Sequence, residues 1–292
     1  MNAGALAGLA IMIGSEAATL ARIEPFSSWN TPICWTGFIL FADATVFRAR
    51  GRSWIRSTPR EFVLLALLSI PLWLVFEGYN LVIRNWYYVG LPENFWLRMF
   101  GYAWSFATIW PAIFEGADLI DGWAGKAGAA GEAGRARQRT FSPAPRAHPA
   151  LPGRPALPGR PALPAVPALV AGALMLACPF FVSPSVARYL AAPVWLGFIF
   201  LLDPINRRFG GESLLDDRNR TRNLLMSGLL CGFLWEFWNY WAGAKWHYTV
   251  PIMEHVKLFE MPLPGFLGFP PFALECFTMY VFVRLMFRKL AS

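Results

Sequence analysis

The stretch of sequence that decides the fold is FLWEFWNYW at residues 233–241, which continues through KWHY at 245–248 to FPPFALEC at 269–276. The stretch is apolar and aromatic, yet it contains two carboxylates, Glu236 and Glu275. At the centre of a lipid bilayer a carboxylate costs roughly 3 kcal/mol or more, so an acidic residue inside an apolar span is by default a candidate functional residue. Both glutamates are therefore predicted to be catalytic.

The same elements occur about 160 positions earlier in the chain, in the same order. They are VFEGYN at 75–80, NWYY at 85–88 and IWPAIFE at 109–115. The corresponding pairs are Glu77 with Glu236, Asn80 with Asn239, Trp86 with Trp246, Tyr88 with Tyr248, and Glu115 with Glu275. This internal repeat predicts that Glu77 and Glu115 belong to the same kind of site.

Composition indicates a membrane protein. Hydrophobic residues make up 56% of the chain and charged residues 15%, whereas a soluble domain carries roughly 25% charge. The net charge of +8 comes from arginines in short loops beside apolar runs. That distribution is typical of cytoplasmic loops and argues against a nucleic-acid partner. The four cysteines lie in or beside apolar segments without metal-ligand spacing, and are interpreted as core residues.

The predicted fold class is all-α, a polytopic membrane bundle of about eight transmembrane helices in two parallel four-helix repeats. The repeats cover 1–124 and 165–292. Because each repeat has an even number of spans, the two should lie parallel, related by an axis along the membrane normal. The predicted spans are 3–21, 29–47, 62–83, 104–124, 166–182, 193–205, 224–240 and 264–286.

Residues 125–164 read as a linker. They are rich in Gly, Ala, Pro and Arg, a composition that favours a disordered or polyproline-like tether. Arginine-rich loops at 48–60 and 206–222 place these loops, the linker and both termini in the cytoplasm, with the protein in the inner (cytoplasmic) membrane. The connections 84–103 and 243–263 are expected on the outer side.

Two local patterns surround the carboxylates. Glu77 with Asn80, and Glu236 with Asn239, are spaced i and i+3 on one helix face, so each pair can point into one cavity and the asparagine can contact a substrate. Polar contacts between helices are the alternative. In the second pattern, a proline lies four residues before Glu115 and Glu275. A proline within a span bends the helix and creates an irregular, polar place beside the carboxyl.

Aromatic residues near the carboxylates are candidate substrate contacts, since aromatic faces stabilise cations. Packing and membrane-interface roles are the alternative for most of them. The three histidines form no metal set, and no metal or cofactor is expected. The candidate binding residues, beside Asn80 and Asn239, are Trp235, Trp238, Trp246, Tyr248, Trp86 and Trp110.

These motifs resemble the membrane domain of the carotenoid c/d-type lycopene cyclases, which is usually used in tandem. The likeness covers about 30–122 and 190–287. FLWE at 233–236 resembles the family's aromatic-acidic step, WHY at 246–248 its aromatic pair, and PFALECF at 271–277 its Pro-x-Glu-Glu helix. The chain departs from the family in having a single glutamate in place of the doublet, a longer Pro-to-Glu spacing, and four predicted spans per half where three are usual. The resemblance implies a cofactor-free, proton-initiated cyclisation or isomerisation of a polyene, with glutamates as acids.

The leading hypothesis is thus an integral membrane enzyme that acts on an isoprenoid or other lipid by carboxylic acid chemistry. One alternative is a proton-coupled transporter or lipid carrier that uses the same carboxylates, and another is a structural membrane subunit. The bilayer and a lipid or isoprenoid substrate are the expected partners. The sequence leaves the substrate and the oligomeric state open.

Overall fold

The computed structural model describes residues 2–132 and 165–291. Most of the linker predicted at 125–164 lies outside the described residues. Over 125–132 the chain is still helical, and the boundary between the first repeat and the linker at 124 stays a prediction.

The described residues are mostly helical, and each predicted span overlaps a helix. The helices are α1 (Ala3–Leu20), α2 (Phe26–Arg50), α3 (Trp54–Ser57), α4 (Pro59–Ile83), α5 (Phe95–Glu132), α6 (Ala165–Ala177), α7 (Pro184–Ala187), α8 (Ala191–Arg208), α9 (Arg218–Trp241) and α10 (Phe269–Ala291). Short 3₁₀ turns follow α6 (Cys178–Phe180) and precede α10 (Leu263–Gly268). Four short strands depart from a purely helical chain: β1 (Trp86–Val89), β2 (Lys245–Tyr248), β3 (Lys257–Leu258) and β4 (Met261–Pro262).

Three helical stretches among the described residues are long and apolar enough to cross a membrane. They are Ala3–Leu20, Pro59–Ile83 and Leu263–Leu290, and a shorter apolar stretch covers Ala165–Phe180. The structure is therefore compatible with a membrane protein. That all eight helices overlapping the predicted spans cross the membrane stays a prediction.

The prolines of the repeated motif do not behave alike. Pro111 lies inside α5, which continues through it. Pro271 is the third residue of α10, where a missing N–H leaves no helical hydrogen bond unmade. The predicted bend within a span at Pro271 is therefore wrong, because the helix begins later than the apolar run.

The two halves use the same close contact between their first two long helices. A Cβ on Gly8 of α1 would lie 2.5 Å from the Gly37 carbonyl oxygen of α2. In the second half, a Cβ on Gly172 of α6 would lie 2.8 Å from the Gly197 carbonyl oxygen of α8. Small residues at these positions let the helix backbones touch.

Strands β1 and β2 join the two halves in an antiparallel ribbon. Trp86 is opposite Tyr248, and Tyr88 is opposite Trp246. Because Trp86 corresponds to Trp246 and Tyr88 to Tyr248, each half presents the same residue to the same partner. The ribbon is thus symmetric about the Tyr87–His247 pair. The sequence predicted only connections here.

Gly90, which follows β1, should tolerate no side chain. Its φ is +67°, and a Cβ would collide with the Gly243 carbonyl oxygen in the connection before β2. Gly90→Ala should therefore destabilise the protein by more than the roughly 1–2 kcal/mol that a left-handed alanine costs. Thermal unfolding in detergent measures the loss.

The matched control is Gly51→Ala. Gly51 has a φ of +71° but no atom within 4 Å of the added Cβ, so this variant reports the backbone cost alone. Equal melting temperatures for the two variants would contradict a close approach of the two connections at Gly90.

Candidate functional site

A cavity of about 490 Å³ lies at the end of the bundle that carries the β1–β2 ribbon. Its wall is rich in aromatic side chains and comes from both halves of the chain. The wall includes Trp35, Trp73, Trp86, Tyr88, Phe106, Trp195, Trp235, Trp246, Tyr248 and Phe272. A cavity of this volume suits a small-molecule or lipid ligand rather than a macromolecule.

The ribbon turns one face to this cavity. Residues two apart on a strand, and residues opposite each other on paired strands, share a face. Trp86, Tyr88, Trp246 and Tyr248 therefore lie together, and all four line the cavity. Of these, Tyr88 is absent from the sequence-derived site residues, although the repeat had already matched it with Tyr248.

Glu77 lies directly behind this wall in the first half. Its Oε1 atom accepts hydrogen bonds from the Tyr88 hydroxyl at 2.5 Å, from Trp73 Nε1 at 2.8 Å and from Trp86 Nε1 at 3.3 Å. The Glu77 side chain is half-buried. Trp73 lies one turn before Glu77, at a spacing that brings two helical side chains together, and the sequence-based prediction did not include it.

Glu236 occupies the corresponding place in the second half, with fewer partners. Its Oε1 accepts one hydrogen bond, from the Tyr248 hydroxyl at 2.7 Å. Its Oε2 is buried and has no hydrogen-bond partner among the residues that the structure describes. Trp246 Nε1 donates to the Tyr248 hydroxyl at 2.8 Å. Glu236 is fully buried, and Tyr248 stands between it and the cavity.

The phenols of Tyr88 and Tyr248 lie outside the helices, in the ribbon. Burial raises the pKa of each hydroxyl well above its ordinary value because the charged phenolate loses its hydration. Both phenols are therefore neutral at physiological pH, so each can donate a hydrogen bond or pass on a proton.

The side chains of Asn80 and Asn239 form hydrogen bonds with the backbones of strands β1 and β2. Asn239 Oδ1 accepts from the Trp246 backbone N–H at 2.9 Å, and its Nδ2 donates to the Trp246 carbonyl at 2.9 Å. Asn80 binds the Trp86 backbone in the same two ways, at 3.2 and 2.8 Å. Neither residue lines the cavity. In the structure the two asparagines hold the backbones of Trp86 and Trp246 in the ribbon. Contact with a substrate stays a prediction.

Glu115 and Glu275 lie deeper in the bundle than the cavity. Both are fully buried, and within 2–132 and 165–291 their four carboxyl oxygens have no hydrogen-bond partner. Pro271 lines the cavity, and Glu275 lies one helical turn beyond it. The cavity wall on α5 stops at Ile109, above Glu115. Of the four predicted glutamates, two thus lie directly behind the cavity wall and two lie below the cavity.

The predicted tryptophans differ in whether they line the cavity. Trp235, Trp246 and Trp86 line the cavity, whereas Trp110 and Trp238 do not. Trp110 is fully buried and donates from Nε1 to the Cys276 carbonyl oxygen at 2.8 Å. Trp238 packs edge-on against Trp35 with ring centroids 4.9 Å apart. Both occupy core positions between helices.

A charged cluster closes the opposite end of the bundle. Asp118 accepts from Arg220 at 2.8 Å and from Trp54 Nε1 at 2.9 Å, and Arg50 pairs with both Asp118 and Asp121. None of these residues lines the cavity. They join α2, α5 and α9 at the end predicted to be cytoplasmic.

Among the residues that the structure describes, no group of three or more His, Cys, Asp or Glu side chains could hold a metal ion. Comparisons of the chain with protein-family models, curated proteins and solved structures return no match. The site must therefore be interpreted from its own geometry.

Proposed function

We propose that the protein is an integral membrane enzyme that converts an isoprenoid or similar unsaturated lipid by proton transfer, as lycopene cyclases do, without a cofactor. In this proposal the eight long helices span the membrane as two parallel repeats. The matched glycine contacts of α1–α2 and α6–α8 and the symmetric β1–β2 ribbon support this arrangement.

One observation carries the functional proposal: two tyrosines in the wall of a cavity rich in aromatic side chains are each hydrogen-bonded to a glutamate behind that wall. Protonation of a carbon–carbon double bond gives a carbocation, which aromatic faces stabilise. Loss of a proton from a neighbouring carbon then gives a new double bond. No oxidant or reductant is needed, and the product is an isomer of the substrate, cyclic or rearranged.

The transporter alternative is less well supported by the shape of the cavity. A transport route has to continue from the ribbon end to the charged cluster at the other end. However, Phe272 in the cavity wall and Trp110 and Phe114 below the cavity are each at most 2% exposed. A pocket that ends on packed aromatic side chains is better suited to holding a substrate during a reaction.

The decisive experiment is conversion in heavy water. Protein in lipid nanodiscs is incubated in D₂O with polyunsaturated isoprenoids. The extracted lipids are separated by chromatography, and their masses are measured by mass spectrometry. Because the transferred proton comes from an exchangeable O–H group, we expect a product isomer that carries one carbon-bound deuterium. Empty nanodiscs should give neither the isomer nor the label. Recovery of only unlabelled, unchanged lipid would contradict the proposal, and uptake driven by a pH gradient would favour the transporter.

A further inference from the structure

We infer that the two halves of the site have opposite protonation states: Glu236 is a neutral acid, Glu77 is a carboxylate, and each exchanges protons with the cavity through its tyrosine. The reaction described in this inference rests on the proposed function. It assigns Tyr248 and Tyr88 as the catalytic groups that contact the substrate, with Glu236 and Glu77 acting through them.

The first step of the argument is the difference in hydrogen-bond donors. Three donors converge on Glu77 Oε1. A carboxyl group that accepts several hydrogen bonds is favoured in its charged form. From the described part of the chain, Glu236 receives one donor on Oε1 and none on Oε2, and it is fully buried. An anion there would lose its hydration without replacement, so the neutral carboxylic acid is the stable form.

The difference has a cause in the sequence. Trp73, one turn before Glu77, supplies one of the three donors. The residue one turn before Glu236 is Gly232. A Cβ at Gly232 would collide with the ring of Phe269, which packs directly against it. The second half therefore cannot place a tryptophan beside its glutamate, and this breaks the symmetry of the repeat.

A second difference concerns the indoles of the ribbon. Trp86 Nε1 donates to the Glu77 carboxyl oxygen, whereas Trp246 Nε1 donates to the Tyr248 hydroxyl. In the second half one lone pair of the phenol oxygen is thus occupied by the indole. When Glu236 carries its proton on Oε1, that proton is donated to the other lone pair across the same 2.7 Å contact, and the phenol proton then points into the cavity instead of to Glu236.

The resulting reaction is balanced. Tyr248 gives its proton to one carbon of the double bond and takes the Glu236 proton, so a carbocation and a Glu236 carboxylate form. A carbon next to the cation then gives a proton to Tyr88, which passes its own to Glu77, and the electron pair of the broken C–H bond forms the new double bond. Return of the proton from Glu77 to Glu236 through exchange with water restores the starting state. Groups placed in such unequal surroundings divide naturally into acid and base.

Infrared spectroscopy of the purified protein in nanodiscs tests the protonation states without any assay of activity. We expect E236Q to lose a carbonyl stretching band of a protonated carboxyl group at neutral pH. E77Q should lose carboxylate bands and keep every protonated carboxyl band. The reverse pattern, or loss of carboxylate bands in E236Q, would overturn the assignment.

Two further variants test the same assignment if the glutamine variants do not fold. Y248F should shift the Glu236 carbonyl band, because it removes the hydrogen bond between the phenol and that group. W73F should shift the Glu77 carboxylate bands, because it removes one of the three hydrogen bonds to Glu77 Oε1. A Y248F spectrum identical to wild type would overturn the contact between Tyr248 and a neutral Glu236.

The relay is tested by the heavy-water reaction with the same variants. We expect Y248F and E236Q each to lower formation of the labelled isomer at least tenfold. If wild type makes the isomer and Y248F makes it at the same rate, the relay through Tyr248 is wrong while the proposed enzyme function stands. If the infrared assignments hold but wild type forms no isomer, the proposed function fails and the unequal protonation states remain.

Discussion

Glu236→Gln should lower formation of the isomerised lipid by about 10²- to 10⁴-fold, the usual contribution of a positioned general acid. Glutamine has the shape of a neutral carboxylic acid and can still accept the hydrogen bond from Tyr248, but it cannot supply a proton. Melting in detergent should therefore stay close to wild type. Product formation per folded protein, measured by chromatography and mass spectrometry, gives the effect.

The matched control for this variant is Glu16→Gln. Glu16 is a half-buried glutamate in α1 whose Oε2 accepts a hydrogen bond from Asn30 at 2.9 Å, and it does not line the cavity. Its replacement should leave product formation within about twofold of wild type, since substitutions away from the chemistry cost little. Full activity of Glu236→Gln, combined with a large loss of stability, would instead identify Glu236 as polar packing between helices.

Trp110→Ala should cost on the order of 3 kcal/mol of stability, because it empties a fully buried site. It also leaves the Cys276 carbonyl oxygen without the indole donor that links α5 to α10. The sequence-based prediction gave Trp110 a role in substrate binding, whereas the structure places it in the core below the cavity. The variant should thus show a lowered unfolding temperature, with affinity for the lipid changed little in the molecules that remain folded.

Trp96→Ala is the control for this second variant. Trp96 belongs to the same helix but is 77% exposed, so its removal should shift the unfolding temperature by no more than a small fraction of the Trp110→Ala effect. Lipid binding that is weakened tenfold by Trp110→Ala at unchanged stability would restore the substrate-contact role.

The sequence by itself determined the positions of the long helices and the pairing of residues between the halves. Apolar runs of span length recur in the same order, and local side-chain pattern is enough to place a helix, as at Pro59–Ile83. The same pattern identified Glu77 and Glu236 as unusual, because a carboxylate in an apolar run is visible without any knowledge of contacts. Helix ends were predicted less well: α5 begins at Phe95, nine residues before the predicted start.

Only the tertiary structure decided what each glutamate faces. The β1–β2 ribbon brings together Tyr88 and Tyr248 from positions 160 residues apart, and no local periodicity encodes which strand pairs with which. The unequal surroundings of Glu77 and Glu236 likewise depend on Phe269, which packs against Gly232 from another helix. An internal repeat in the sequence predicts equivalent sites, but packing between the halves makes them different, because one indole donor fits on the first side and is excluded on the second.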